Sequence, residues 1–135
     1  MAKAVLSPFI EQSYSSVYAY AGVAAIRARL VAEGGIVVWN EDDSFRGILT
    51  LTDVVAQSHH LVIDCLREKP LIRPTQSVRE VLRIMLDCRE TVLPVVYERG
   101  ELAGLVHQRT LVEHLLDKSK KKGEVGQIDT PPPLR

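Results

Sequence analysis

The sequence has 135 residues, of which 46% are hydrophobic and 25% are charged, and its 17 basic and 17 acidic side chains cancel to a formal net charge of zero. A chain of this length and composition can bury a sizeable apolar core, which excludes wholesale disorder and dependence on disulfides or a structural metal. The zero net charge gives no electrostatic reason to expect nucleic acid or an acidic membrane as the main partner.

The charge is distributed unevenly along the chain. Residues 118–135 contain five basic and two acidic side chains, which leaves 12 basic and 15 acidic ones in residues 1–117. We therefore expect a mildly acidic folded part, followed by a basic, Pro-rich C-terminal tail that is flexible.

The sequence has no stretch typical of a membrane-spanning helix. The longest uncharged stretch, residues 12–26, contains three serines and is shorter than the roughly 20 apolar residues that a bilayer requires. Cys65 and Cys88 stand 23 positions apart without the spacing of a metal site, which favours thiols in a reducing compartment. These features predict a cytoplasmic protein with no membrane partner.

In chain order, the first half predicts a short strand at 9–11, a helix at 16–33, a hairpin, and a second helix at 51–58. The first helix is expected to end at Gly34 and Gly35, which suit a left-handed stop. Its apolar residues lie on more than one side, so we expect it to be buried on more than one side, including in a subunit interface.

Residues 61–70 join the two halves. The second half then predicts a strand at 71–74, a helix that begins at Ser77, a hairpin, and a helix at 109–117. Ser77 and Glu80 have the spacing of a capping box, in which the serine side chain accepts a hydrogen bond from the backbone three residues on.

An internal repeat relates the two halves. Residues 47–55 and 104–112 agree in pattern at an offset of 57 positions, and both follow a run that has the alternation of a hairpin strand. Each run ends in an aromatic side chain, so Trp39 and Tyr97 are predicted to be equivalent. The repeat divides the chain into two motifs and a tail, at 1–60, 61–117 and 118–135.

Two features of the repeat match a known domain family. The first hairpin leads into a Gly-hydrophobic-x-Thr-x-x-Asp motif at Gly47, Thr50 and Asp53, and the second begins with Leu-Pro-Val-Val at 93–96. With the doubled order of elements, these features resemble a tandem pair of cystathionine-beta-synthase (CBS) domains, often called a Bateman module. The resemblance covers roughly residues 5–117. It implies a mixed α/β (α+β) fold, in which two tandem β-α-β-β-α motifs form a pseudo-twofold pair with two clefts.

The resemblance also implies a function. Such pairs bind adenosine-containing molecules, such as AMP, ADP, ATP or S-adenosylmethionine, as regulatory ligands and require no cofactor. They commonly dimerise through their helices, so a homodimer is implied. They act as sensors rather than as enzymes, and no catalytic residue is expected.

The first cleft is predicted where the first hairpin meets its helix. Free backbone N–H groups and the positive end of the helix dipole favour a phosphate there, and the Asp53 carboxylate suits a ribose diol. Asp53→Ala is then expected to abolish binding with little loss of stability. The alternative is that Thr50 only caps the helix and Asp53 only favours its first turn. The predicted ligand-binding residues are Ile10, Ile36, Val37, Gly47, Thr50 and Asp53.

The second cleft departs from this pattern, because His107 and Thr110 stand where the motif has Thr and Asp. No carboxylate is available for a ribose, so this cleft is either empty and structural or takes another ligand. His107 and Arg109 are both able to donate hydrogen bonds to a phosphate. At the hairpin entry, Ile36 is predicted to stand where the second motif has Pro94. The predicted residues of this cleft are Pro94, Val95, His107, Arg109 and Thr110.

Other chemistry has weaker support. His59, His60 and Asp64 lack the further ligand that a metal site needs, and no P-loop or nucleophile motif is present, so we predict neither a metal site nor an enzyme. The basic run of Lys118 and residues 120–122 allows nucleic-acid binding as a weak alternative, although cations at the end of a helix explain it more simply.

The sequence therefore predicts a regulatory module that senses an adenosine nucleotide. Such a module passes its signal to an unknown effector protein in trans, or is part of a longer protein. The main alternative is a ligand-free dimerisation or scaffold module.

Overall fold

The computed structural model describes residues 4–56 and 60–126, with side chains described as far as residue 117. Its fold is mixed α+β, as predicted. The strands are β1 Ser16–Tyr18, β2 Gly35–Trp39, β3 Phe45–Thr50, β4 Val92–Val96 and β5 Leu102–His107. The α-helices are α1 Arg27–Glu33, α2 Leu51–Ala56, α3 Val62–Cys65, α4 Val78–Cys88 and α5 Gln108–Gly126. Within the described residues, each of these helices is too short or too polar to cross a membrane.

The two hairpins confirm the repeat. Val38 pairs with Gly47 in the first hairpin and Val95 pairs with Gly104 in the second, and each pair is followed by a β-bulge that leaves one residue of the second strand unpaired. The offset between equivalent residues is 57 throughout both strands.

The same register corrects two predicted equivalences. Trp39 pairs with Phe45, and the corresponding pair of the second hairpin joins Val96 to Leu102. Trp39 is therefore equivalent to Val96 rather than to Tyr97. By the same offset, Pro94 is equivalent to Val37 rather than to Ile36. Both errors are of one position and arise because the two runs were matched by their aromatic ends instead of by strand pairing.

The predicted helix at 16–33 is wrong for its first eleven residues. Ser16–Tyr18 forms β1, which pairs in parallel with β2, and a 3-10 turn at Val23–Ala25 precedes α1. β-Branched and aromatic side chains favour a strand where a neighbouring strand can pair with them. The helix does end as predicted, at Gly34, which has φ 83° and donates its backbone N–H to the Leu30 carbonyl at 2.8 Å.

The predicted leading strand at 9–11 belongs with the other motif. Glu11 donates its backbone N–H to the Leu105 carbonyl at 2.7 Å and accepts the Leu105 N–H at 2.9 Å, while Phe9 and Ile10 pack against the core of the second motif. The N-terminal segment therefore crosses to the second hairpin. At 71–74 the structure has a single bridge rather than the predicted strand, and in this bridge Ile72 pairs in parallel with Val95 of β4.

The predicted starts of helices α4 and α5 agree closely with the structure. The Ser77 hydroxyl accepts a hydrogen bond from the Glu80 backbone N–H at 3.1 Å, which confirms the predicted cap of α4. Helix α5 begins one residue before the predicted start, and its helical backbone continues through residues 118–126, where the tail was predicted to begin. Residues 127–135 lie outside the described residues.

A small apolar cluster joins the two motifs. Val37 and Ile48 of the first hairpin are buried with Val92 and Leu105 of the second, between the two larger cores. A Cβ atom built on Gly35 would lie 3.2 Å from Val92 Cγ1. Since these two residues are equivalent in the repeat, this contact lies where the pseudo-twofold relation brings the hairpins together.

Two equivalent glycines have different steric surroundings. A Cβ built on Gly104, which has φ 153°, would lie 2.6 Å from both the Glu11 carbonyl oxygen and Ile10 Cγ2. At Gly47 a Cβ would meet Leu66 Cδ2 at 3.5 Å, an ordinary contact. Only the second motif therefore requires glycine to let the N-terminal segment pass.

We expect Gly104→Ala to lower the free energy of unfolding by about 2–4 kcal/mol, because the backbone must move and the φ value is unfavourable for alanine. Gly47→Ala is the matched control and should change stability by less than about 1 kcal/mol. Urea denaturation of both variants measures the difference. Equal losses would contradict the proposed crossing of the N-terminal segment over Gly104.

Candidate functional site

Thr50 and Asp53 form a reciprocal cap where β3 meets α2. Asp53 Oδ2 accepts a hydrogen bond from the Thr50 backbone N–H at 3.1 Å, and Thr50 Oγ1 accepts one from the Asp53 N–H at 3.4 Å. Both residues are buried, and Asp53 is only 1% exposed. The capping role that the sequence left as an alternative is thus present in the structure.

Lys69 completes this site and was missed by sequence reasoning. Its Nζ lies 2.5 Å from Asp53 Oδ2 and also donates to the backbone carbonyls of Ile48 at 3.0 Å and Arg67 at 2.9 Å. The Lys69 side chain is 3% exposed. A buried cation is tolerated when it is paired and its donors are satisfied, and these three acceptors match the three N–H donors of the ammonium group.

The repeat identifies the counterparts of the pair in the second motif. Asp53 corresponds to Thr110 at the offset of 57. In the leading segments the offset is 55, because Val17 pairs with Val38 whereas Ile72 pairs with the equivalent Val95. Lys69 therefore corresponds to Tyr14. The second motif therefore lacks both charges, as expected if the two residues act together.

A cavity lies beside Lys69, between the two motifs. It has a volume of about 670 Å³ and is lined by part of β3, by the segment 66–71 and by part of β4. Its charged lining residues are Arg46, Arg67 and Lys69, with a single carboxylate, Glu68. The cavity wall is therefore cationic although residues 1–117 as a whole are acidic.

The structure brings together only part of the predicted first site. Gly47 lines the cavity. Thr50 and Asp53 do not line it, but Asp53 contacts the lining residue Lys69 and accepts a hydrogen bond from Thr50. Ile36 is fully buried in the first core and Val37 in the cluster between the hairpins.

Ile10 does not lie at this site, so that prediction is wrong. It packs beside Gly104 in the second motif, because the N-terminal segment crosses over.

The predicted second cleft is also divided by the structure. Pro94 lines the large first cavity instead, and Val95 is buried in the second core. His107 lines a cavity of about 190 Å³ together with Glu11 and Glu33. Two carboxylates beside one histidine disfavour a phosphate.

Arg109 and Thr110 follow His107 at the start of α5. Arg109 is exposed and pairs with Glu113 at 3.3 Å. It lines, with His107, a separate open groove between α1 and α5. The structure thus places these residues at the predicted strand–helix junction without a cavity as large as the first.

Glu90 brings a further charge from the second motif towards the Lys69–Asp53 pair. Burial raises the pKa of the Glu90 carboxyl above its ordinary value. The positive charges of Lys69 and Arg67 act against this rise in pKa, and the negative charge of Asp53 adds to it. The electrostatics of the site therefore depend on both motifs.

Metal binding finds no support in the part of the chain that the structure describes. No group of three or more His, Cys, Asp or Glu side chains lies close enough there to hold an ion. Of the residues considered above, His59 lies outside the described residues, whereas His60 is exposed.

Part of the chain matches the model of a known protein family. Residues 62–117 match the family model of the CBS domain. The magnesium transporter MgtE of Thermus thermophilus is 32% identical over 99 residues, which cover 71% of this chain and 22% of the transporter. The chain therefore spans about a fifth of the length of this relative.

Solved structures share the fold. The cytosolic domain of the Mg²⁺ channel MgtE in complex with ATP has a TM-score of 0.67 and 27% identity, over 82% of this chain and 48% of that one. The CBS domain pair of protein MJ0100, in complex with 5′-methylthioadenosine and S-adenosyl-L-methionine, has a TM-score of 0.75 and 15% identity, over 87% and 99%.

The buried ion pair predicts that substitutions at Lys69 or Asp53 lower the stability of the fold. We expect Lys69→Met to lower the free energy of unfolding by about 3–5 kcal/mol, since it leaves a buried carboxylate unpaired. For the same reason Asp53→Ala should destabilise the protein, contrary to the small effect predicted from the sequence. The double variant Asp53→Asn/Lys69→Met should recover part of the loss, and urea denaturation measures all of these values.

The exposed pair of Arg109 and Glu113 provides the control. Arg109→Met removes the cation of an exposed i,i+4 pair and should cost less than about 1 kcal/mol. A similar small cost for Lys69→Met would show that the Lys69–Asp53 contact is not a buried pair in solution.

Proposed function

Because the chain folds as a tandem pair of CBS domains, we propose that it is a regulatory module that binds an adenosine-containing nucleotide in the cleft between its motifs. The observation that carries this proposal is the cavity of about 670 Å³, whose walls come from both motifs and whose charged residues are mainly basic. This volume lies within the range of small-molecule sites.

The cavity offers a complementary group for each part of a nucleotide. Arg46 and Arg67 supply cations for phosphate, and Leu66 and Pro94 supply apolar surface for a base. Asp53, with Thr50, is the proposed acceptor for the ribose hydroxyls once Lys69 moves aside. In this proposal Gly47 forms part of the cavity wall, and the buried side chains of Ile36 and Val37 support the first hairpin.

Structures with this fold support an adenosine ligand. The cytosolic domain of MgtE was solved with ATP, and the MJ0100 pair with 5′-methylthioadenosine and S-adenosylmethionine. These ligands share the adenosine group and differ in charge. The class of ligand proposed here is therefore an adenosine compound, with AMP, ADP, ATP and S-adenosylmethionine as candidates.

The proposed signal is a change in the angle between the motifs. A ligand that contacts β3 and β4 together favours the arrangement in which both strands reach it, and its differential affinity, typically about 1–3 kcal/mol, sets the size of the effect. We propose that an effector protein in the cytoplasm, or a further part of a longer chain, receives this signal. We propose a boundary between the motifs at residues 60 and 61, although the N-terminal segment packs on the second motif.

A ligand-free scaffold is the second candidate. Thr50 and Asp53 already satisfy each other, and Lys69 neutralises Asp53, so the site is structurally complete without a ligand. Nucleic-acid binding through the basic tail has no comparable support, since the side chains of 118–135 lie outside those described.

We also propose a homodimer formed through the helices. Large apolar side chains are exposed on helices of both motifs, including Val31 of α1 at 64% and Leu86 of α4 at 61%. Val112 and Leu116 add further apolar surface on α5. Burying these side chains against a second copy would remove them from water.

A thermal-shift panel of AMP, ADP, ATP and S-adenosylmethionine tests the ligand. At 100 times its dissociation constant, a ligand stabilises the folded state by about 2.7 kcal/mol, so we expect a rise of several degrees in melting temperature. Asp53→Asn keeps an acceptor for Lys69 but removes the charge, and it should reduce the shift. Asp64→Asn, at an exposed carboxylate of α3, is the matched control and should leave the shift unchanged. The absence of any shift across the panel would favour the scaffold.

The dimer is tested by light scattering after size-exclusion chromatography. We expect the wild type to elute as a dimer, and Val31→Glu combined with Leu86→Glu to elute as a monomer, because buried carboxylates oppose association. Tyr20→Glu, at a side chain that is 61% exposed outside the helices, should remain dimeric. A monomeric wild type would contradict the proposed interface.

A further inference from the structure

We infer that Lys69 determines the specificity of this cleft, so that it takes phosphorylated adenosine ligands and excludes neutral or cationic ones. The inference rests on the proposed function, because it concerns ligands of the same cavity. In the structure Lys69 holds Asp53, the group proposed to bind the ribose. A ligand reaches Asp53 only if it also provides a new partner for the Lys69 ammonium.

Three hydrogen bonds hold the Lys69 ammonium in place. The ammonium donates to Asp53 and to the backbone carbonyls of Ile48 and Arg67, and the Lys69 side chain is 3% exposed. All three donors are therefore used. A cation in such a position leaves its carboxylate only when another anion compensates for the lost contact.

The charged side chains that line the cavity are mainly basic. Lys69 lines it together with Arg46 and Arg67, against the single carboxylate of Glu68. If Lys69 turns from Asp53 into the cavity, it joins two other cations, which is unfavourable unless an anion is bound between them. A phosphate group would supply that anion and accept charge-assisted hydrogen bonds from Lys69.

Adenosine ligands differ in the groups that they present to Lys69 and Asp53. The ribose hydroxyls of a nucleotide donate to Asp53 in place of Lys69, while its phosphate pairs with the displaced ammonium. Adenosine or 5′-methylthioadenosine offers the hydroxyls alone. The sulfonium of S-adenosylmethionine adds a positive charge to a cationic cavity, and its carboxylate is accompanied by an ammonium group. Only the phosphorylated ligand satisfies both members of the pair.

The repeat supports a specific role for the pair. By strand pairing, the counterparts of Lys69 and Asp53 in the repeat are Tyr14 and Thr110, neither of which is charged. The cavity that Glu11 and His107 line in that motif is about 190 Å³, less than a third of the first. The ion pair thus occurs in the motif that has the large cationic cavity.

Isothermal titration of the full chain with ATP, AMP, adenosine and S-adenosylmethionine tests the inference. In the wild type we expect the two nucleotides to bind at least tenfold more tightly than adenosine and S-adenosylmethionine. Lys69→Gln should weaken nucleotide binding and strengthen adenosine binding, because it releases Asp53 and removes a phosphate partner. Arg83→Gln removes one cation from an exposed position on α4 outside the cavity lining and should leave the order of affinities unchanged.

The outcomes separate this inference from the proposed function. Binding of adenosine or S-adenosylmethionine to the wild type as tightly as AMP would overturn the inference and leave the proposed function intact. The same holds if Lys69→Gln changes all affinities by one common factor, which a purely structural role predicts. No binding of any ligand to wild type or Lys69→Gln overturns both. If Lys69→Gln does not fold, the wild-type order of affinities alone decides.

Discussion

The two motifs meet in a small apolar contact between their hairpins. Val37 and Ile48 pack with Val92 and Leu105, and the absence of a side chain on Gly35 leaves the space that Val92 approaches. Gly35 and Val92 are equivalent in the repeat, so the contact is made by the same part of each hairpin. The large cavity depends on this contact, because its walls come from β3 on one side and β4 on the other.

The same arrangement brings the segment 66–71 across the cavity and places Lys69 against Asp53. A buried ion pair is stable only when its remaining donors and acceptors are satisfied, and the carbonyls of Ile48 and Arg67 complete the set for Lys69. The fold and the proposed ligand therefore compete for one carboxylate. This competition makes the site selective, since a ligand must replace what the fold already provides.

Most of the local structure could be predicted from the sequence, and the main error lies in the segment at 16–33. The hairpins, the Ser77 cap and the stop at Gly34 follow from spacing over a few residues. A helix was predicted over 16–33 because the small apolar residues of this segment fit a helical period. Ser16–Tyr18 instead forms a strand, because it pairs with β2. Short apolar segments cannot be assigned from periodicity alone when the neighbouring strand is unknown.

By itself the sequence determined a doubled unit of hairpin and helix, and it placed Thr50 and Asp53 at the junction where capping and ligand binding are both possible. Only the tertiary structure decided that the N-terminal segment crosses to the second hairpin, and that the cavity is lined by cations although residues 1–117 carry more acidic than basic side chains. It also decided that Lys69 neutralises Asp53. These features depend on which buried groups face each other once the sheets have packed, and no spacing rule relates a lysine in a connecting segment to an aspartate 16 positions earlier.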